Sequence, residues 1–182
     1  MKETDQQLVT QCQQGNGRAA GTMVDRYYQR LYAFHRRQTL NDHDAADLTQ
    51  KTFAKLWDSL GTYRGSKSFT AWIFRIAQNT YVDWVRQTTR QNERETRWWE
   101  IQPDQSTPFS EMQDHEDTKL LLEIIDLLPE ELKQTIQLRY FDQLTLTETG
   151  AVLEISITTV KNRLRKALTI LREKALDLLK QP

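Results

Sequence analysis

The stretch Thr145–Leu164, TLTETGAVLEISITTVKNRL, decides the fold. Thr145 and Glu148 stand at the T-x-x-E spacing of a capping box, which starts a helix by satisfying orphan backbone donors from both sides. Only Leu153 to Ser156 are left for a connection before Ser156, a natural N-cap, opens a second helix. A short capped helix, a tight turn and a second capped helix form the layout of a helix-turn-helix, whose second helix enters the major groove by its N-terminal end.

On a helix starting near Ile157, the residues Val160, Leu164, Ala167, Leu168 and Leu171 share one face, and Thr158, Asn162, Arg165, Lys166 and Thr169 share the other. For an isolated amphipathic helix, water alone accounts for such a polar face. Behind a capped partner helix the face has a use: Thr158, Thr159, Lys161, Asn162, Arg165 and Lys166 carry hydroxyl, amide and cationic groups that bond base edges or phosphates. Arg163 falls nearer the packing stripe and is assigned to a phosphate.

The whole chain gives this reading room. Its 182 residues suit two small domains, and 27% charged against 38% hydrophobic residues, with six Gly and four Pro, is the composition of a helical globular protein. No apolar run spans a bilayer and MKETDQQLVT is too polar for a signal peptide, so no membrane insertion and a cytoplasmic location are expected. Cys12 is the lone cysteine and is expected as a small buried or half-buried side chain rather than a redox sensor. A zinc site would have to rest on His35, His43 and His115, whose spacing matches no ligand pattern, so no metal and no cofactor are expected. His35, beside Arg36 and Arg37, is expected on a helix surface. No P-loop and no G-x-S-x-G occurs, and an enzyme is not expected.

The formal net charge is zero, but the charges are segregated. Glu93, Glu95, Glu100, Asp104, Glu111, Asp114, Glu116 and Asp117 face only Arg94 and Arg97 in the middle of the chain. Arg64, Lys67, Arg75, Arg86 and Arg90 face Asp83 alone before it, and the tail after Ile155 is basic again. Counterion release depends on the local cluster that meets phosphate, so a neutral sum does not exclude DNA.

The acidic middle, WWEIQPDQSTPFSEMQD at Trp98–Asp114, has two prolines and no period, and reads as a flexible linker that could screen the basic faces. Before it, Met23, Tyr27, Leu31 and Phe34, then Leu48, Phe53, Leu56, Trp57 and Leu60, recur at helical spacing. Gly65 breaks the pattern, and a helix or helix pair resumes with Ser68 as cap. After the linker, DTKLLLEIIDLL is a helix, Pro129 opens the next, and Leu132, Ile136 and Tyr140 give that one a buried stripe. The expected fold is all-α: two small helical domains, 1–92 and 117–182, joined by the acidic linker 93–116.

Between Tyr63 and Arg90, the rings Tyr63, Phe69, Trp72, Phe74, Tyr81 and Trp84 interleave with Arg64, Arg75, Arg86 and Arg90. Aromatics mixed with bases suit a single strand, though any one ring is as well explained as core. Here DLTQKTFAKLWDSLGTYRGSKSFTAWIFRIAQNTYVDWVR, together with LPEELKQTIQLRYFDQLTLTETGAVLEISITTVKNRLRKAL, resembles the bacterial RNA polymerase sigma factors of the extracytoplasmic-function group. The two blocks cover about half the chain, in that family's order.

The resemblance implies a subunit of RNA polymerase that selects promoters. Asp47, Gln50, Phe53, Leu56 and Trp57 would dock on the clamp helices of the largest polymerase subunit, and the flap of the second largest would hold the C-terminal domain. Tyr63, Arg64, Arg75, Asn79, Asp83, Arg86 and Arg90 would recognise and open the minus-ten element, with Asn79 at the base-reading loop. Thr158, Thr159, Lys161, Asn162, Arg165 and Lys166, aided by Arg139, would read the minus-thirty-five element. An anti-sigma partner and, in the active state, association with the nucleoid are implied as well. The chain departs from the family at Glu154, where Gly is usual in the turn, at Gly150, where a small Ala is common, and at Thr149, usually aliphatic. Glu154 is expected to carry a positive φ at modest strain. The competing reading is a self-sufficient helix-turn-helix regulator whose N-terminal bundle dimerises or senses a ligand, and which binds its promoter tightly without polymerase.

Overall fold

The computed structural model describes residues 3–65, 68–95 and 124–178, and every regular element among them is helical. The chain forms two compact units, Met1–Ser106 and Thr107–Pro182. The acidic linker lies outside the described residues from position 96 on, as do His115 and the start of the helix expected from Asp117.

In the first unit the helices are α1 (Asp5–Gln13), α2 (Gly17–Thr39), α3 (Asp42–Ser59) and α4 (Phe69–Glu95), with a 3-10 turn at Leu60–Thr62. Each start is fixed by a polar cap: Thr4 and Gln7 make a reciprocal capping box on α1, and the Asn16 and Asn41 side chains accept from the first free amides of α2 and α3. Leu40, at φ 58°, turns the chain sharply between α2 and α3. Ser68 caps α4 as expected, its hydroxyl accepting from Ala71 N at 3.4 Å. From there α4 runs as one helix, about 40 Å long, rather than as a pair. Its first half packs on α2 and α3.

The core of this unit is the expected one: Met23, Tyr27, Leu31, Phe34, Leu48, Leu56, Ile73 and Phe74 are buried, joined by Leu8 and Val9 of α1. Phe34 meets Phe74 edge-on, ring centroids 5.7 Å apart. His35 is not on the surface. It is fully buried, and its Nε2 lies 2.9 Å from Thr52 Oγ1 across the α2–α3 interface. Its place on the stripe after Phe34, at the i, i+4 spacing from Leu31, outweighs the pull of the neighbouring arginines toward water.

In the second unit a helical turn at 124–126 leads to α5 (Glu130–Ile136), α6 (Leu146–Leu153) and α7 (Ile157–Leu178). Pro129 sits one position earlier than expected, as the N-cap of α5. Ile125, Leu128, Leu132, Ile136, Val160, Leu164 and Ala167 make the core. Two members of the expected stripes are outside it. Tyr140 is 53% exposed because Gln137–Phe141 winds as a π turn, Asp142 N donating to Gln137 O at 3.0 Å. One extra residue in a turn slips the buried face by about 100°, which brings Gln137 and Leu138 inward instead. Leu168 is 47% exposed because the smaller Ala167 takes the inner position; with Ile125, Ile136, Tyr140, Phe141 and Leu171 it borders an apolar groove of about 320 Å³.

Candidate functional site

The helix-turn-helix forms as its caps require. Thr145 Oγ1 accepts from Glu148 N while Glu148 Oε2 accepts from Thr145 N at 2.8 Å, and Ser156 Oγ accepts from Thr159 N at 3.0 Å. Glu154 closes α6 in the left-handed region at φ 57°, so the turn keeps its shape without glycine there. Gly150 takes over the steric demand: a Cβ on it would lie 2.8 Å from Ile155 O. Thr149 is buried, and its hydroxyl is spent on Thr145 O at 2.9 Å, which is how a polar side chain substitutes for an aliphatic one.

Charges on α7 are sorted by face. Arg163 pairs with Glu131 at 2.6 Å, and Lys133 of α5 pairs with Asp126 at 2.7 Å. The expected phosphate contact of Arg163 therefore gives way to an internal ion pair. Thr158, Lys161, Asn162, Arg165 and Lys166 are exposed, and none of these three cations has an ion-pair partner among the described residues. The free backbone amides at the start of the same helix add positive potential. Thr159 is half-buried, its hydroxyl 2.8 Å from that of Ser156, so it completes the cap. Arg139 donates through Nη1 to Leu144 O at 3.1 Å and lies over the Tyr140 ring. It braces the approach to α6, a role its sequence position did not announce.

On α4, Arg75, Asn79, Asp83, Arg86 and Arg90 recur at i, i+4, i+8, i+11 and i+15, a single stripe. Asn79, Asp83, Arg86 and Arg90 are exposed and Arg75 is half-buried. Lys55 of α3 reaches Asp83 Oδ2 at 2.9 Å. Arg64 is exposed just ahead of α4, whereas Tyr63 is buried against Phe69 and Trp72, with ring centroids 5.5 and 4.9 Å away. Tyr63 thus supports the segment from beneath.

The α3 set divides similarly. Leu56 is fully buried and Phe53 only 7% exposed, because both face the helix core, and they offer no surface of their own. Gln50 is exposed, Asp47 is half-buried and paired with Lys51 at 2.6 Å, and Trp57 is half-buried. Phe53 is the middle of a ladder the sequence reading missed: Tyr32, Tyr28, Phe53 and Trp57 stack in order at 6.4, 6.5 and 6.4 Å. The i, i+4 spacing of Tyr28 and Tyr32, off the buried stripe, was the available signal. Burial pushes the thiol of the half-buried Cys12 up from its ordinary range, which disfavours the nucleophilic thiolate. Among the described residues, no group of His, Cys, Asp and Glu could hold a metal ion, and no helix is long and apolar enough to cross a membrane.

Residues 23–91 match Sigma-70 region 2, and residues 124–173 match Sigma-70, region 4. The chain belongs to the extracytoplasmic-function sigma factors. It is 29% identical to the ECF RNA polymerase sigma-E factor of Haemophilus influenzae, over 94% of this chain and 95% of that protein. It is 27% identical to the ECF RNA polymerase sigma factor SigW of Bacillus subtilis, over 93% and 96%. Among solved structures, CnrH in complex with the cytosolic domain of CnrY shares the fold at TM-score 0.67 and 24% identity, over 96% of this chain and 97% of that one. The sigma factor RpoE in complex with the anti-sigma factor NepR from Bartonella quintana also shares it, at TM-score 0.67 and 20% identity, over 85% and 95%. As a sigma factor the chain directs RNA polymerase to promoters, which sets aside the polymerase-independent regulator.

Proposed function

We propose that the two units divide promoter recognition between them. The first holds core polymerase through Asp47, Gln50 and Trp57 of α3, backed by the Tyr28–Phe53 stack, against the clamp helices of the largest subunit. The α4 stripe, with Arg64 ahead of it, captures and opens the minus-ten element. Extruding a base costs a few kcal/mol, and exposed amide and guanidinium groups on a rigid helix are suited to repay it. The second unit reads the minus-thirty-five element through Thr158, Lys161, Asn162, Arg165 and Lys166. Its apolar groove, bordered by the exposed Tyr140 and Leu168, suits the flap of the second-largest subunit. An anti-sigma partner covering these faces is supported by the fold shared with RpoE, whose structure includes NepR. The protein then works in the cytoplasm, at the nucleoid when active, and performs no covalent step itself.

One observation carries this reading: on α7, Arg163 at the back is neutralised by Glu131, while Lys161, Arg165 and Lys166 at the front have no ion-pair partner among the described residues. The test is reconstitution with bacterial core polymerase lacking any sigma factor, on the promoter upstream of the protein's own gene. Specific initiation is expected, with Trp57→Ala weakening core binding and Arg165→Ala weakening promoter binding alone. Tight binding to that DNA without polymerase, and no initiation with it, would overturn the reading.

A further inference from the structure

Asp83 is the only acid between Arg64 and Arg90, and it stands in the middle of a stripe meant for a polyanion. A carboxylate at such a place repels phosphate unless something neutralises it. Lys55 does so: its Nζ bonds Oδ2 at 2.9 Å, reaching from α3 to α4, with the two side chains 47% and 50% exposed. As a stabilising contact an exposed pair of this kind is worth about 0–1 kcal/mol, too little to explain an acid on this face. Oδ1, meanwhile, accepts no hydrogen bond from any described residue.

We propose that the Lys55–Asp83 pair is a base-reading device that selects a base carrying an amino donor next to a ring-nitrogen acceptor, cytosine or adenine, at one position of the minus-ten element. This rests on the reading that the α4 stripe faces the promoter. Asp83 Oδ1 accepts from cytosine N4–H, the pairing for which carboxylates are used in direct readout, or from the chemically similar amino group of adenine at N6. Lys55 acts as a positioning residue for the carboxylate: it fixes Oδ2 and cancels the charge, and it has two further N–H groups for the acceptor nitrogen next to the amino group. Thymine sets its O4 against a carboxylate oxygen, two acceptors facing each other. Guanine carries a double donor that wants both carboxylate oxygens, one of which Lys55 already holds. Asn79 and Arg86 sit one turn to either side of Asp83 on the same face. Trp57 is two residues on from Lys55, hence about 160° around α3, so polymerase can occupy one flank of that helix while Lys55 serves the other.

The experiment is initiation by reconstituted holoenzyme on the protein's own promoter, with every minus-ten position of the non-template strand varied through all four bases. The wild-type protein should show one position where cytosine or adenine exceeds thymine by about tenfold. Asp83→Ala should flatten that preference to within about twofold, and Lys55→Met should weaken it. The double exchange K55D with D83K restores the ion pair but presents an ammonium donor on α4, so the preference should pass to guanine or thymine at that same position. If the exchange and Asp83→Ala change yield equally on all templates, the pair is only a surface contact and the proposal fails. If Asn79→Ala and Arg86→Ala also leave every minus-ten preference intact, it is the assignment of α4 to the promoter that fails.

Discussion

His35 shows what one side chain can impose on stability. Thr52 Oγ1 donates to Leu48 O at 2.8 Å, so it accepts from His35 Nε2–H, which leaves Nδ1 bare, buried and without a hydrogen bond. Burial lowers the pKa from 6.5 to about 3, and the folded state therefore binds its proton far later than the unfolded one. Above pH 6.5 neither state is protonated and the group is silent; below it the unfolded chain takes the proton first, so stability falls as pH falls toward 3. The slope is at most about 1.4 kcal/mol per pH unit. Urea unfolding of the first unit at pH 7 and pH 5 should show this loss, and His35→Gln should reduce it. Gly150 offers the opposite lesson. A mid-helix Gly→Ala exchange ordinarily stabilises by about 1 kcal/mol, but here the new methyl would meet the Ile155 carbonyl at 2.8 Å. Gly150→Ala should instead destabilise the second unit by about 1–3 kcal/mol, read as a lower melting temperature. Neither residue was legible beforehand. His35 differs from a surface histidine only in the register of the stripe around it, and the need for Gly150 arises from a carbonyl brought close by the left-handed turn at Glu154.

Among elements, α7 is the most legible and the π turn the least. The caps at Thr145 and Ser156, the positive φ of Glu154 and the outward face of α7 could all be read from residue type and spacing, because local rules suffice there. The π turn at Gln137–Phe141 has no local signature, and it carried Tyr140 out of the stripe where periodicity placed it. In the same way the α4 stripe was legible as spacing, but not that Lys55, 28 residues away, would meet it. The sorting of cations on α7 has a measurable result. Holoenzyme binding to a promoter duplex should lose about one unit of salt slope for Lys161→Ala or Arg165→Ala. Arg163→Ala should leave the slope unchanged, since its charge is already spent on Glu131, and should lower the stability of the second unit by about 0–1 kcal/mol.

At the scale of the molecule, the composition and the charge segregation pointed to two helical bodies, and the structure has them, each with its own core and caps. Joining two modest contacts on one chain raises the effective concentration of the second after the first has formed. Fragments Met1–Ser106 and Thr107–Pro182 should each unfold cooperatively by circular dichroism. Mixed in trans, at concentrations where the intact chain saturates core polymerase, they should direct little or no initiation. The order of the units along the chain also matters during synthesis. Every described helix of the first unit ends by Glu95, and so does every described residue of its core. Helical bundles of this size close in microseconds to milliseconds, far faster than a ribosome adds the remaining residues. The first unit is thus folded while the second is still unmade. On the proposed division of labour, a chain released early is not inert debris: it can occupy core enzyme without completing promoter recognition, and a stalled message would poison the very step that the full-length product serves.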